Sequence, residues 1–179
     1  TAVVEVYHID PTFRDLYNAH YAKHLFDVGR FTIRITLFKG ELDAEAFTAR
    51  SEGDLSDRAV GSVVLCPINR GVVGSTLIRP EYIADCGAGG MEVRVSVFDL
   101  TVRGKRIRIP SFTYRQQDGE VMSCAEVSLL NLMCYYSNEF SAYAVAPPSE
   151  ILALERPHAS ERVVPSRGLD FYDMSRITS

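Results

Sequence analysis

The sequence predicts an α+β protein in which a β-rich N-terminal part, with one flanking helix, precedes a helical C-terminal part. Short apolar or alternating segments bounded by glycine and proline dominate the chain up to Pro110, as is typical of strands. Apolar residues recur at helical spacing over 123–138, which indicates a helix packed on one side. We therefore divide the chain into a β-rich domain, 1–112, and a helical part, 113–179.

The first elements are a strand, a helix and a second strand. Asp10 followed by Pro11 combines an N-cap with a proline at the first helical position, and helical spacing continues over 11–27. Residues 31–38 alternate strictly between apolar and polar side chains, which predicts a half-buried strand with its apolar set on one face. The predicted strands are 2–7, 31–38, 59–66, 72–78, 93–102 and 106–109.

Turn and helix signals mark the rest of the chain. Residues 40–58 are polar and acidic, which predicts a loop with one short helix at 43–49. The segment 103–105 (Arg-Gly-Lys) predicts a hairpin turn, and Pro110 predicts the end of the last strand. The predicted helices of the C-terminal part are 123–138, 149–155 and 170–177.

Composition limits the possible functions. The chain has 179 residues, of which 46% are hydrophobic and 23% charged, enough for a substantial core. Its net charge of −4 argues against a general nucleic-acid binder. No apolar run approaches the ~20 residues of a membrane span, and no signal peptide is recognisable at the start. Its four cysteines show neither metal spacing nor a disulfide pattern, which predicts a reduced, cytoplasmic protein without cofactor or metal.

Cys124 carries the most specific chemical signal of the sequence. Ser123 and Glu126 form the S-x-x-E pattern of a capping box, so Cys124 is expected to be the first residue of a helix. The unpaired N–H groups and positive dipole end there favour an anion, and the thiolate is the nucleophilic form of cysteine. A free cysteine that packs as a small hydrophobe is the simpler alternative.

The segment 116–126 (Gln-Gln-Asp-Gly-Glu-Val-Met-Ser-Cys-Ala-Glu) resembles the active-site entry of papain-like cysteine peptidases. It is similar in particular to bacterial peptidases of the bacteriocin-processing type and their uncharacterised relatives, and the likeness extends over roughly 60–177. The resemblance implies that 113–179 is the incomplete start of a papain-like domain. It also implies thiol-dependent hydrolysis of a peptide or protein substrate through an acyl-enzyme.

The resemblance also implies roles for individual residues. Cys124 is the nucleophile, and Gln117, seven residues before it, is the candidate oxyanion donor, with an exposed loop amide as the equal alternative. The base is not identified, because His158, the only histidine after Cys124, lies in a polar loop and is expected at the surface. A second chain, or a segment missing after Ser179, is then needed to complete the site.

Other candidates have simpler explanations, and one alternative function stays open. His20 and His24 are spaced i, i+4, as histidines that bind a metal can be, but His8 is the only nearby candidate for a third ligand. They are therefore expected to be ordinary histidines on the face of a helix. The alternative that one of them approaches Cys124 in space stays open. Cys86 is expected in a loop. The alternative function is a non-catalytic protein-binding or assembly module, in which Cys124 is a packed residue and the β-rich half provides the surface.

Overall fold

The computed structural model describes residues 1–23, 27–68, 71–83 and 93–154, and it has an α+β fold built on a curled antiparallel sheet. The strands of the described residues are β1 (Ala2–His8), β2 (Thr32–Phe38), β3 (Ala59–Cys66), β4 (Val72–Val73), β5 (Thr76–Ile78), β6 (Ser96–Val102) and β7 (Lys105–Tyr114). They follow the order β1-β2-β3-β5-β7-β6, and β4 pairs with β3. β1 and β6 are therefore the edge strands.

Helices accompany the sheet, and polar N-caps begin the first four of those described; the sequence predicts the caps at Asp10 and Ser123. The helices of the described residues are α1 (Pro11–Ala19), α2 (Ala44–Ala49), α3 (Glu52–Arg58), α4 (Cys124–Glu139) and α5 (Pro148–Leu154). Asp10 caps α1, because its Oδ1 accepts a hydrogen bond from the N–H of Phe13 at 2.8 Å. Asp43 and Ser51 cap α2 and α3 in the same way.

Two hydrophobic clusters form the core. The first packs α1, α4 and α5 on β3 and β4, and Leu130 and Ile151 are both fully buried in it. The second packs α2 and α3 on β2, β5, β6 and β7, with Leu55 and Ile107 fully buried. Each such side chain contributes roughly 1.5–3 kcal/mol by leaving water, so both clusters hold the sheet to its helices.

β2 is half-buried as predicted, but its polar face is the buried one. Thr32 and Thr36 are 0% exposed and Arg34 is 8% exposed, while Ile33 and Leu37 are 37% and 39% exposed. A half-buried strand normally buries its apolar set, so the expectation from hydropathy is inverted here. We call the face that carries the polar set the inner face.

Hydrogen bonds explain why the inner face tolerates polar residues. The Thr32 hydroxyl donates to the carbonyl of His8 at 2.9 Å. Arg34 Nε donates to Glu5 Oε2 at 2.7 Å, and its Nη2 also donates to a carbonyl of β6. Thr36 shares a hydroxyl contact of 3.4 Å with a serine of β3. Because the buried groups have partners, their loss of hydration is offset.

The opposite side of the same strands forms an outer apolar face. Strand register places Val4 beside Ile35, and Ile35 beside Val63. Val4 is 52% exposed, and the described helices leave Ile33 and Leu37 accessible. The outer apolar face consists of Val4, Ile33, Ile35, Leu37, Val63 and Leu65.

Two helix predictions need correction. The helix expected over 11–27 ends at Ala19, and a single 3-10 turn, Tyr21–Lys23, follows it. Just after the end of the helix, the hydroxyl of Tyr21 donates a hydrogen bond to Asp118 in the loop before α4. The loop expected over 40–58 contains α3 as well as α2; Leu55 is the buried apolar residue of α3, too little to produce a periodic signal.

The strand predictions hold in position but not in length. β7 continues through Pro110, where the sequence predicted its end. Pro110 is opposite Val97, and the carbonyl of Val97 accepts a hydrogen bond from a side chain outside the ladder. Pro110 and Val97 are therefore a non-hydrogen-bonded pair, which needs no N–H group from proline. The predicted hairpin turn is confirmed, with φ of 46° at Arg103 and 83° at Gly104 as a type I′ turn requires. The strand predicted at 72–78 is divided into β4 and β5.

The helical part packs directly on the sheet. The predicted boundary between 112 and 113 lies within β7, and the division of the chain at that point stays a prediction. Phe112 contacts the ring of Tyr135 in α4 at 5.9 Å, and the Thr113 hydroxyl donates to the carbonyl of Asn131 at 3.3 Å. None of the described helices combines the length and apolar character that crossing a membrane requires. The helix predicted at 170–177 lies outside the described residues.

Candidate functional site

Cys124 is the first residue of α4 and its side chain is exposed to solvent. The predicted capping box is present, since Glu126 Oε2 accepts a hydrogen bond from the N–H of Ser123 at 2.7 Å and another from the Ser123 hydroxyl. Glu126 is fully buried, and its carboxyl group already accepts hydrogen bonds at the start of the helix, where the dipole is positive. Because Cys124 is exposed, it is not a packed core residue. The start of the helix already binds the carboxyl group of Glu126, so its N–H groups are not all available to a thiolate.

Asp118 shapes the loop that leads into α4. Its Oδ1 accepts hydrogen bonds from the N–H groups of Glu120, Val121 and Met122, at 2.9, 2.7 and 2.9 Å. Gly119 has a φ of 72°, which permits the tight turn around this carboxylate. The loop is thus organised by one side chain, and it delivers Cys124 to the surface in a fixed place.

The end of α1 contacts this loop. The hydroxyl of Tyr21 donates to Asp118 Oδ2 at 2.7 Å, and burial followed by the Asp118 charge raises the pKa of Tyr21, so that it stays a donor. His20 Nε2 lies 3.3 Å from Glu120 Oε1, and the His20 side chain is 14% exposed. In the part of the chain that the structure describes, no histidine nitrogen is within hydrogen-bonding distance of the Cys124 sulfur. His24 and His158 lie outside that part.

Gln117 does not contact Cys124 by a hydrogen bond. Its side chain is exposed. The neighbouring Gln116 instead binds β4, because its N–H donates to the carbonyl of Val73 at 2.8 Å and its Oε1 accepts from the Val73 N–H at 3.2 Å. The role of Gln117 as an oxyanion donor stays a prediction.

The other described cysteines differ from Cys124. Cys66 is buried, and burial, followed by the charges of Asp10 and Asp118, raises the pKa of its thiol to about 12. Cys66 is therefore a neutral core thiol near pH 7. Cys134 is partly exposed in α4. Cys86 lies outside the described residues.

The edge of β1 is a second candidate site that the sequence did not indicate. Val4, Val6, Tyr7 and Ile9 are 52%, 55%, 77% and 53% exposed. An open groove of about 710 Å³ runs along them and is lined on its other side by Thr101 of β6. A weak signal is present in the sequence, because Glu5 is the one charged residue of the segment 2–7, whereas an ordinary edge strand has one polar face.

The hydrogen-bond register decides which backbone groups face this groove. The N–H of Phe38 donates to the carbonyl of Thr1 at 2.8 Å, so alternate residues Val3 and Glu5 also bond to β2. The N–H and C=O groups of Ala2 and Val4 point away from β2. Among the described residues they have no hydrogen-bond partner.

Comparison with protein-family models, with characterised proteins and with solved structures finds no match to this chain. The resemblance to papain-like cysteine peptidases therefore stays a prediction, and the function is argued from the geometry of the two candidate sites.

Proposed function

We propose that this chain is a protein-binding module that takes up one extended segment of a partner polypeptide along the edge of β1. The observation that carries the proposal is an edge strand with unpartnered backbone groups, at Ala2 and Val4, beside exposed apolar side chains. An extended segment pairs with such an edge by main-chain hydrogen bonds, and its side chains set specificity. β1 contains neither lysine nor proline, the residues that commonly block an exposed edge.

The groove selects the occupant. Thr101 of β6 lines the side opposite β1, so β1 forms one wall of a groove, and we propose a single extended segment as its occupant. The charged residues that line the groove, Glu5 and Arg34, pair with each other at 2.6 Å. A segment with alternating uncharged and apolar residues fits best, because its apolar side chains extend the outer apolar face beyond Val4.

A blocked synthetic peptide of alternating valine and threonine tests the proposal. We expect its addition to shift the backbone NMR signals of Ala2 and Val4 and to slow the hydrogen exchange of their amides. The Val4→Pro variant removes one donor that faces the groove without removing a β1–β2 hydrogen bond, and it should abolish the slowed exchange at Ala2.

Val97→Pro is the matched control for this experiment. Val97 is 53% exposed on the other edge strand, and its N–H also points away from the ladder, but it does not line the groove. The control should bind the peptide as the parent does. Peptide-induced changes confined to other elements, or dimers of the free protein in sedimentation that Val4→Pro dissociates, would contradict the proposal.

As a second candidate we propose the thiol-dependent peptide hydrolysis that the sequence resemblance implies, with Cys124 as nucleophile of an acyl-enzyme mechanism and α4 as the central helix of a papain-like domain. The exposure of Cys124 and the position of the His20–Glu120 pair at the preceding loop favour it. In this candidate we propose His20 as the base, with Glu120, whose Oε1 lies 3.3 Å from His20 Nε2, as the group that orients it. The free thiols of Cys66, Cys124 and Cys134 fit a reducing compartment, and we propose the cytoplasm.

Selective alkylation and peptide hydrolysis test this second candidate. Iodoacetamide at mildly acidic pH should label Cys124 far ahead of the buried Cys66, and faster than the free thiol of glutathione if the site activates it. Hydrolysis of a fluorogenic peptide should be lost in Cys124→Ala and in His20→Gln but kept in Cys134→Ala. Alkylation at the rate of glutathione, with no hydrolysis, eliminates the enzymatic candidate.

A further inference from the structure

A cavity of about 220 Å³ lies on the inner face of the curled sheet and shares His8 and Arg34 with the groove beside β1. Five strands and the start of α1 line it, so it is enclosed by regular structure rather than by loops alone. Its volume is below the roughly 300–1,000 Å³ of pockets for drug-sized ligands, so a smaller molecule fits. The lining residues are His8, Asp10, Pro11, Arg34, Ser62, Val64, Ser75, Leu77 and Leu100.

Two charged side chains that line the cavity each have an oxygen or nitrogen atom to which no group of the described residues is hydrogen-bonded. Asp10 is 4% exposed and uses only Oδ1, to cap α1, which leaves Oδ2 without a donor among the described residues. Arg34 is 8% exposed and uses Nε and Nη2, which leaves Nη1 without an acceptor there. Neither atom is among the buried polar atoms that lack a partner, so both are accessible within the cavity, and a polar ligand there can bond to both.

The charges set the chemical class of this ligand. Arg34 is already paired with Glu5, so the cavity as a whole retains the negative charge of Asp10 and favours an ammonium group. Arg34 Nη1 and the hydroxyl of Ser75 remain available to donate to a carboxylate. Burial, and then the charge of Arg34, lowers the pKa of His8, so its imidazole is neutral near pH 7 and adds no second positive charge.

The remaining residues that line the cavity are mostly apolar, and they limit the size of the side chain that the ligand can carry. Val64, Leu77 and Leu100 come from β3, β5 and β6 and close the cavity away from the charged groups. We propose that this cavity binds a free α-amino acid with a small apolar side chain, its ammonium group on Asp10 and its carboxylate on Arg34. His8 and Arg34 line both this cavity and the peptide groove, so the two sites adjoin, but the ligands proposed for them differ.

Valine and its two truncated analogues test the proposal. Isobutylamine lacks the carboxylate of valine and isovalerate lacks its ammonium group. We expect valine to shift the methyl NMR signals of Val64, Leu77 and Leu100, and each analogue to bind at least about tenfold more weakly, because each leaves one charged group unpaired.

Asn is as good an N-cap as Asp, so Asp10→Asn retains α1 but loses the negative charge. Asp10→Asn should weaken valine binding about tenfold or more, whereas Asp43→Asn, the same change at the cap of α2, should not alter it. Ser75→Ala provides a second variant and should weaken binding less than tenfold. Equal affinity for valine and isobutylamine, unchanged binding in Asp10→Asn and Ser75→Ala, or no methyl shift up to about 10 mM valine would overturn the proposal.

Discussion

β2 and β7 belong to the same sheet but divide their side chains in opposite ways. In β7, Ile107 and Ile109 are 0% exposed while the alternating arginines face solvent. In β2, Thr32 and Thr36 are 0% exposed while Ile33 and Leu37 are accessible. The part of β7 that does not pair with β5 is covered by α3, whose Glu52 and Ser56 side chains accept hydrogen bonds from its backbone N–H groups. The outer face of β2, in contrast, keeps its apolar residues exposed.

This difference links the fold to both proposed sites. The apolar set of β7 completes a hydrocarbon cluster, so that end of the molecule is structural. The polar set of β2 lines the inner cavity through Arg34, and its apolar set stays accessible to solvent. The exposed apolar residues of β2 are therefore part of the basis for the proposed partner site.

Of these variants, Phe38→Ala is expected to have the largest effect on stability. It tests the end of β2 that packs into the second cluster. Phe38 is 3% exposed and contacts the ring of Phe47 at 5.8 Å, so its removal leaves a cavity in the second cluster. We expect a loss of about 4 kcal/mol in the free energy of unfolding, measured by urea denaturation. The neighbour Leu37, 39% exposed, is the control, and Leu37→Ala should cost less than about 1 kcal/mol. Equal losses would show that the outer apolar face is packed.

Arg34→Ala tests whether the inner face depends on its ion pair. The change leaves the Glu5 carboxylate, whose side chain is 25% exposed, without its partner. We expect a loss of about 2 kcal/mol in urea denaturation. Adding Glu5→Gln should recover part of that loss, because no orphaned charge remains. A double variant as unstable as the single one would mean that the pair is not the stabilising contact.

A smaller, pH-dependent effect is expected for His8. Its folded-state pKa is lowered by burial and then by the Arg34 charge, so the unfolded chain binds the proton more readily. His8 therefore contributes stability above its unfolded pKa of about 6.5, and this contribution is lost as the pH falls from there towards the lower folded-state pKa. The unfolding midpoint of His8→Gln should fall less than that of the parent between about pH 7 and 5. Parallel pH profiles would contradict an inward-facing His8.

Local signals in the sequence are sufficient for several elements of the fold. The β3 strand, the Asp10 cap, the capping box at Ser123 and the turn at 103–104 all follow from residues within a few positions of one another. The continuation of β7 through Pro110 is not predictable locally. A strand tolerates proline only where the N–H group at that position would not bond to a neighbouring strand, and this depends on the register of the assembled sheet.

The candidate sites were harder to predict than the elements. The exposed position of Cys124 at a helix start follows from its neighbours, but the contact between His20 and Glu120 joins residues a hundred positions apart. The inversion of β2 also depends on distant partners, since Glu5 and Thr101 come from other strands. Hydropathy alone assigns Arg34 to solvent, because it contains no information on the groups that solvate it within the protein.

Thiol accessibility at two adjacent positions of β2 tests the inversion most directly. Leu37→Cys and Thr36→Cys place single thiols on opposite faces of the same strand, and the native cysteines serve as internal references. We expect the native Leu37→Cys protein to react with a maleimide at a rate near that of the exposed Cys124, and the Thr36→Cys protein to remain protected as Cys66 is. Rapid labelling of Thr36→Cys with protection of Leu37→Cys would contradict the account.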